Sequence, residues 1–208
     1  GASIDISLKI PKNSFLGGKY GTVLKLYFSR MNDISKTKVD TSINISQKGT
    51  IGYKTYFFSI GNTIFYQDIS FNFEKKFSKI FHLSFTYQNL RYNYKILRGE
   101  EEKDEVFANI LICDLTFKIN KKNSLRFEFE ILKTQQDMGD WIMFLTEYNY
   151  SPHFFMSIQN QYNYGNKIQK INYPLVSLGY KINSTRFTIS YGKQKEGVIC
   201  IGGVCRVV

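Results

Sequence analysis

The side chains with the clearest chemical potential are three charged residues on one short segment. Arg126, Glu128 and Glu130 alternate with apolar residues in LRFEFEIL (125–132), so in an extended strand all three point to one side. Two carboxylates beside a guanidinium could form an acid–base site. The alternative, which we favour, is a ladder of charges paired across neighbouring strands. We expect the following residues to line one polar interior: Asp114, Lys118, Arg126, Glu128, Glu130, Glu147, Lys181 and Arg186.

A second candidate for chemistry is His82, which precedes Ser84 by two residues on the polar side of IFHLSFTYQ (80–88). A hydrolase needs a serine, a histidine and an orienting polar group that converge in space. Two residues on one strand do not establish that arrangement. His153 follows Pro152 and is interpreted as a solvated turn residue. We therefore predict no catalytic residue and no enzymatic activity.

Three cysteines and one acidic run remain as candidates for redox or metal chemistry. Cys200 and Cys205 lie in CIGGVC, whose paired glycines permit a tight reversal, so we expect a small disulfide loop. Two thiols without a nearby histidine fall short of a zinc site. Cys113 is interpreted as a small apolar residue of a strand. The acidic run at 100–105 lacks the spacing of a known cation loop. We predict no metal and no cofactor.

Strict alternation of apolar and polar residues runs through most of the chain and predicts β-strands. In RFTISYG (186–192), for example, Phe187, Ile189 and Tyr191 oppose the polar residues between them. A helix repeats near 3.6 residues, so this pattern argues against helices. The stretch 31–50 is polar and predicts a loop with a weak strand. Strands are predicted at 4–10, 22–30, 51–60, 65–73, 80–94, 106–119, 125–136, 154–164, 171–182 and 186–192.

The predicted strands are long, and their connections alternate in length. Several strands reach the roughly nine to eleven residues that cross a membrane on a tilt. Short turns at 74–79, 120–124, 151–153 and 183–185 alternate with longer loops at 97–105, 136–140, 165–170 and 193–203. Aromatic residues gather beside the short turns, as in the girdle at a membrane face. Together these features predict an all-β, antiparallel transmembrane β-barrel of up-and-down topology, in one domain over residues 1–208.

Composition agrees with that interpretation and excludes some others. The mean hydropathy is −0.27 and no run of eighteen apolar residues occurs, which argues against a membrane-spanning helix. Barrel strands bury only alternate residues in lipid, so a modest mean hydropathy is compatible with them. The formal net charge of +11 could indicate nucleic acid or an anionic surface. Because no recognition helix or RNA-binding signature accompanies the scattered lysines, we predict no nucleic-acid partner.

Several segments resemble an uncharacterised family of outer-membrane β-barrel proteins from Bacteroidota, known only as a domain of unknown function. They are GGKYGT (17–22), FFSIGNTIFYQD (57–68), the Trp141 strand, YSPHFF (150–155), QYNYG (161–165) and YGKQKEGVICIGGVCRVV (191–208). The resemblance implies an export signal, a further N-terminal portion of the barrel, and a final strand after CIGGVC. We accordingly expect this chain to be the C-terminal portion of a longer barrel, without its last strand. The resemblance supplies no catalytic residue.

Location is therefore predicted better than activity. We expect a bacterial outer-membrane protein that contacts membrane lipid and serves as a passive pore, or as a scaffold for other envelope proteins. The alternative is a soluble all-β ligand-binding protein, lipocalin-like or sandwich-like, with its aromatic faces packed inside. The two differ in where the apolar faces point. A membrane barrel turns them outward and a soluble protein turns them inward.

Overall fold

The computed structural model describes residues 1–40, 42, 52–98, 105–136, 138–166, 168, 170–195, 198–201 and 204–207. Within these residues the chain is built of strands, with one short helix, α1, at Tyr94–Arg98. The strands are β1 (Ala2–Ile10), β2 (Thr22–Ile34), β3 (Thr37–Lys38), β4 (Tyr53–Lys54), β5 (Ile60–Lys76), β6 (Phe81–Asn93), β7 (Glu105–Lys118), β8 (Asn123–Lys133), β9 (Trp141–Tyr150), β10 (Phe154–Asn163), β11 (Asn172–Ile182), β12 (Thr185–Gly192), β13 (Val198–Ile201) and β14 (Val204–Val207).

Ten of the strands form one antiparallel meander in the order β1-β2-β5-β6-β7-β8-β9-β10-β11-β12. β3 and β4 form a separate two-stranded ribbon, as do β13 and β14. The predicted all-β class and antiparallel meander are confirmed. The ten strands form an open sheet and not a closed barrel, because β1 pairs only with β2 and β12 only with β11. Both edges of the sheet thus leave backbone groups unpaired.

The two faces of the sheet differ sharply in chemistry. Antiparallel register aligns apolar residues across strands, so that Leu8 lies opposite Leu24 and Leu24 opposite Phe73. Near the other edge, Tyr180 lies opposite both Phe154 and Phe187 on the same face. The opposite face is mainly polar. Its members include Asp68, Ser70, Asn72, Ser84, Thr86, Gln88, Asp114, Arg126, Glu128, Glu147, Ser157, Gln159 and Ser177.

Burial follows the polar face. On β10 and β11, Ser157 and Ser177 are each 1% exposed, whereas Ile158 and Leu178 on the opposite face are 50% and 44% exposed. Crowding of side chains on one side means that the sheet curls toward that side. We call the crowded polar face the inner face and the exposed apolar face the outer face. The inner face also buries apolar side chains, namely Trp141, Met143, Leu145, Phe155 and Leu175, so it is not polar throughout. The unusual feature for a protein folded in water is the large, continuous apolar surface that the outer face exposes.

The meander sorts its connections into two ends. The turn end comprises the turns at 11–21, 77–80, 119–122, 151–153 and 183–184, with the three nearest residues of each joined strand. The loop end comprises the longer connections at 35–59, 94–104, 134–140 and 164–171, and the segment after β12. The predicted alternation of short turns and longer loops holds from β5 to β12, whereas the connection at 11–21 is as long as a loop. On the outer face of the turn end, the ring of Phe81 contacts those of Phe77 and Phe117 at 5.4 and 4.8 Å between centroids.

The predicted strand at 51–60 is wrong for most of its length. β4 covers only Tyr53–Lys54, and β5 begins at Ile60. Between them the Ser59 N–H donates to the Tyr56 carbonyl at 3.0 Å in a turn, and Phe57 and Phe58 are 92% and 89% exposed. Aromatic residues favour strands through packing on a pleated surface, and no neighbouring strand packs against these two rings. Ile51 lies outside the described residues.

Candidate functional site

The centre of the inner face holds a cluster of charges around one arginine. Arg126 on β8 donates from Nε to Asp114 Oδ2 at 2.6 Å, and its terminal nitrogen donates to Glu128 Oε2. Register explains the proximity, since Asp114 on β7 lies opposite Glu128 and Thr116 lies opposite Arg126. The three charged side chains are 15–28% exposed. Their interactions are therefore screened less by salt than those of surface pairs.

Carboxylates outnumber basic groups in this cluster. Glu130 lies on the same face two residues beyond Glu128, and Glu147 on β9 lies opposite Arg126. Glu147 is only 4% exposed and accepts a hydrogen bond from Asn149 Nδ2 at 2.7 Å. Four carboxylates thus lie near a single guanidinium. A local excess of negative charge raises the concentration of cations at a surface and lowers that of anions.

A second polar network lies on β5 and β6. The Asp68 carboxylate accepts from Ser70 and Gln88, each at 2.8 Å, and from the Tyr66 hydroxyl at 3.3 Å. Nearby, Asn72 Nδ2 donates to Thr86 Oγ1 at 2.8 Å. Side-chain hydrogen bonds of this kind satisfy polar groups that would otherwise be buried without partners. They extend the polar character of the inner face well beyond the Arg126 cluster.

All eight charged residues predicted to share one face do so by register, but only some of them meet. Asp114, Arg126 and Glu128 are in direct contact, and Glu130 and Glu147 lie beside them. Lys118, Lys181 and Arg186 lie instead at the turn end of the same face. The guanidinium of Arg186 lies over the ring of Phe155 at 4.1 Å from its centroid, and its Nε donates to Thr188 Oγ1 at 3.3 Å. The predicted ladder is therefore two separate groups of charges.

The residues considered for hydrolysis lie on the inner face without forming a catalytic arrangement. His82 lies opposite Lys76 and Thr116, and Ser84 Oγ accepts from Asn72 Nδ2 at 3.3 Å. In the described part of the chain, no hydrogen bond joins His82 to Ser84. Among the same residues, no group of three or more His, Cys, Asp or Glu side chains is arranged to hold a metal ion.

Asn163 forms hydrogen bonds to two loop-end connections, those at 134–140 and 164–171. Its side chain is fully buried, with Nδ2 donating to the Met138 carbonyl and Oδ1 accepting from the Asn166 N–H, both at 2.8 Å. Its own N–H donates to the Ile171 carbonyl at 2.9 Å. Sequence reasoning did not single out this residue. The signal that could have found it was the QYNYG segment, where an asparagine lies at the end of a predicted strand, just before a tyrosine and a glycine.

Asp140 completes this joint between the two connections. Its carbonyl accepts the N–H groups of Tyr164 and Gly165, each at 3.1 Å, and its Oδ1 accepts the Thr134 N–H at 2.8 Å. A Cβ at Gly165 would lie 2.1 Å from the Asp140 nitrogen, so the contact requires glycine. Burial, and then the adjacent Asp140 carboxylate, raise the pKa of the Tyr164 phenol above its usual range.

The chain that follows β12 folds back over the inner face at the loop end. The Lys193 N–H donates to the Pro174 carbonyl at 2.8 Å. Two residues further on, Lys195 Nζ lies 3.8 Å from the centroid of Trp141, whose other neighbour is Tyr173, stacked at 6.0 Å. Trp141 is 9% exposed. This segment therefore covers part of the inner face at the loop end.

The three cysteines were predicted to form one disulfide, between Cys200 and Cys205, and one apolar strand residue, Cys113. Backbone register pairs Cys200 on β13 directly with Cys205 on β14. The two glycines between them lie outside the described residues. The side chains of both cysteines lie outside the described part of the structure, so the predicted disulfide stays a prediction. Cys113 is a free thiol on the outer face of β7, opposite Phe85 and Phe129.

Two further predictions concern loops and turns. Most of the acidic run, at 100–104, lies outside the described residues. Its last residue, Glu105, forms an ion pair of 2.7 Å with Arg91 at the loop end of the outer face. His153 is exposed in its turn, where it stacks on the ring of Tyr180 at 5.6 Å and its Nδ1 lies 2.9 Å from the Lys181 carbonyl oxygen.

One cleft of about 490 Å³ lies at the loop end, between the start of β1 and the segments that follow it in the sheet. Its walls come from the start of β1, the end of β2 and the turn before β5, and it is lined by Gly1, Ala2, Phe28, Arg30, Asn32, Asp33, Ile34, Phe57, Phe58, Ser59 and Ile60. It is separate from the charged cluster on the inner face.

Comparison with known proteins identifies a family but no characterised relative. A family described as "Family of unknown function (DUF6029)" matches residues 1–208, and the chain belongs to that family. No curated protein and no solved structure matches the chain. None of the described helices is long and apolar enough to cross a membrane.

Proposed function

We propose that this member of the DUF6029 family forms the wall of a transmembrane β-barrel in a bacterial outer membrane. In this proposal the outer face contacts lipid and the inner face surrounds a polar interior. The protein would act as a passive pore for small solutes, or as a scaffold that holds other envelope proteins. We assign it no catalytic residue and no cofactor.

The observation that carries the proposal is the inverted burial of the two faces. Large apolar side chains cover the outer face of all ten strands, and many are more than one third exposed. Leaving such a continuous apolar surface in water is costly at about 25 cal/mol per Å². Contact with acyl chains removes that cost. Transmembrane barrels show the same alternation, with apolar residues outward and polar residues inward.

The apolar run of one strand can be compared with the apolar band of an outer-membrane barrel. On β8 the outer-face residues run from Leu125 through Phe127 and Phe129 to Ile131, and Lys133 ends the apolar run. The six residue steps from Leu125 to Ile131, at about 3.3 Å each, give roughly 20 Å along the strand and about 15 Å along the membrane normal at a tilt of about 40°. Outer-membrane barrels carry apolar bands of about 25 Å, in a bilayer thinner than average. Aromatic rings at the turn end extend the band.

The open edges set a condition on the proposal. Unpaired backbone groups at a sheet edge cannot lie in the hydrocarbon region, because no water is there to satisfy them. In the membrane, β1 and β12 must therefore each gain a partner strand. The two edges could pair with each other, or with strands contributed by further polypeptide.

Membrane insertion is tested by extraction from bacterial envelopes. We expect the protein to stay with the membrane pellet through carbonate and urea washes and to need detergent for extraction. The competing proposal is a soluble all-β ligand-binding protein, which would need a second layer over the outer face. A monodisperse protein in detergent-free buffer, with the outer face covered by a second copy, would support that competitor and reject ours.

A channel and a plugged scaffold are separated by conductance across planar bilayers. If the inner face lines the pore, the excess of carboxylates around Arg126 should make the pore prefer cations. Glu147→Gln should then shift the reversal potential toward anions. Glu105→Gln is the matched control, because Glu105 lies on the outer face and loses the same charge. Absence of conductance from inserted protein would favour the scaffold.

A further inference from the structure

Basic side chains crowd the turn end, where carboxylates are almost absent. The cations there are Lys9, Lys12, Lys19, Lys75, Lys76, Lys79, Lys118, Lys121, Lys122, Lys181 and Arg186. Glu74 is the only carboxylate at this end, and it is held by Lys25 in an ion pair of 2.6 Å. The loop end differs, because its described residues mix cations with Asp40 and Asp140, and Asp33 and Glu105 lie at the strand ends beside it. Positive charge is therefore concentrated at one rim of the sheet.

The lysines of the turn end have no acidic partner among the described residues. Lys75 Nζ donates to the Leu16 carbonyl at 2.9 Å and lies 5.5 Å from the ring centroid of Phe77. Lys76 Nζ lies 5.3 Å from the ring of Tyr20. Carbonyls and ring faces neutralise none of this charge. An anionic partner is the simplest way to balance so many cations on one rim.

Aromatic rings lie at the same rim and identify the kind of anion. The stacked rings of Phe77, Phe81 and Phe117 continue to Phe127 at 6.1 Å, and all belong to the turn end or the adjacent outer face. Rings at this position relative to an apolar band mark the head-group level of a bilayer. Lysines beside them can lay their stems on the apolar surface and direct their ammonium groups to phosphates.

We propose that the turn end binds the head groups of acidic phospholipids in the leaflet that it contacts. The proposal rests on the membrane-embedded form proposed above and adds a lipid preference to it. Each Lys or Arg near an anionic membrane surface contributes about a fivefold preference for acidic lipid. Short turns of outer-membrane barrels face the periplasm, so the lipids would be phospholipids of the inner leaflet.

The test uses the full protein in nanodiscs that contain equal amounts of phosphatidylglycerol and phosphatidylcholine. Native mass spectrometry then counts the lipids of each type that stay bound. The turn-end variant is Lys79→Gln, Lys121→Gln and Lys122→Gln. The matched control at the loop end is Lys36→Gln, Lys54→Gln and Lys95→Gln. All six lysines are exposed, so both variants remove the same charge without disturbing packing.

The unaltered protein should retain phosphatidylglycerol preferentially. The turn-end variant should lose that preference by roughly fivefold for each lysine removed, and the control should keep it. Equal losses in both variants, or no loss in the turn-end variant, would overturn the proposal. Heparin that displaces the bound phosphatidylglycerol and binds detergent-solubilised protein through the same lysines would assign the rim to soluble polyanions instead. Failure of membrane insertion itself would appear separately, as protein that fails to stay with vesicles after a carbonate wash.

Discussion

Two isoleucines of nearly equal exposure can separate a lipid-facing outer face from a water-facing one. Ile158 lies near the middle of β10 and is 50% exposed, and Ile182 is the last residue of β11 and is 48% exposed. Both belong to the outer face. We would replace each of them with arginine. In water the two substitutions should lower the free energy of unfolding by nearly the same amount. Surface substitutions usually change it by no more than about 0.5 kcal/mol.

In a bilayer the two costs should differ, because they depend on depth. Ile158 is four residues from the turn-end start of β10, which is about 13 Å along the strand. With a tilt of about 40° it lies about 10 Å into the apolar band. An arginine near the midplane costs about 2–4 kcal/mol, and one near the interface about 0–1 kcal/mol. Ile158→Arg should therefore destabilise the protein by about 2 kcal/mol more than Ile182→Arg.

The assay is equilibrium unfolding by guanidinium chloride in phospholipid vesicles. The chain has a single tryptophan, Trp141, which is 9% exposed on the inner face and therefore reports unfolding by its fluorescence. Both variants lose an isoleucine of similar exposure, so that loss cancels when their free energies of unfolding are compared. The difference that remains reports how the cost of arginine depends on depth in the bilayer. Equal and small costs for the two variants would refute the assignment of the outer face to lipid.

Three further predictions concern packing, the loop-end joint and the cysteines. A Cβ at Gly179 would lie 1.9 Å from a ring atom of Phe155, so Gly179→Ala should destabilise by about 1–3 kcal/mol through overpacking, measured by the same unfolding assay. Asn163→Ala removes both side-chain hydrogen bonds of a fully buried residue, so it should cost about 1–3 kcal/mol and speed proteolysis at the loop end. Cys200 and Cys205 should be linked in exported protein, and free thiols at both positions in non-reduced mass spectrometry would contradict this.

The strands were predictable because the alternation of apolar and polar residues determines which face of a strand each side chain occupies. Phe127, Phe129 and Ile131 could occupy only one face of β8 if Arg126 and Glu128 occupied the other, and the structure keeps that separation. The turns were predictable from Gly, Pro, Asn and Lys clusters. The strand predicted at 51–60 was wrong because local alternation of residues was not enough to decide the structure there. Whether Tyr56 and Phe57 extend a strand depends on a partner strand, which no local pattern reports.

The sequence predicted which charged residues lie on the inner face, but it did not predict which of them contact each other. Alternation placed all eight charged residues on one face, since the period of a strand fixes the side. Which of them meet depends on how far each strand is shifted along its neighbour, and that shift follows from the turns. Arg126 therefore contacts Asp114, while Arg186 lies over Phe155. The Asn163 joint was missed because its partners are backbone groups, namely the Met138 carbonyl of a distant loop and the Asn166 N–H.

The most direct test of the lipid-facing outer face uses the chain's own Cys113 on β7. A spin label on Cys113 is compared with one on Ile112→Cys in a Cys113→Ser background, with Cys200 and Cys205 replaced by serine in both proteins. Residues 112 and 113 point to opposite faces. In vesicles, the label at 113 should collide with oxygen and be shielded from an aqueous nickel chelate, and the label at 112 should show the reverse. A label at 113 that nickel reaches as readily as the label at 112, in folded and inserted protein, would contradict the account.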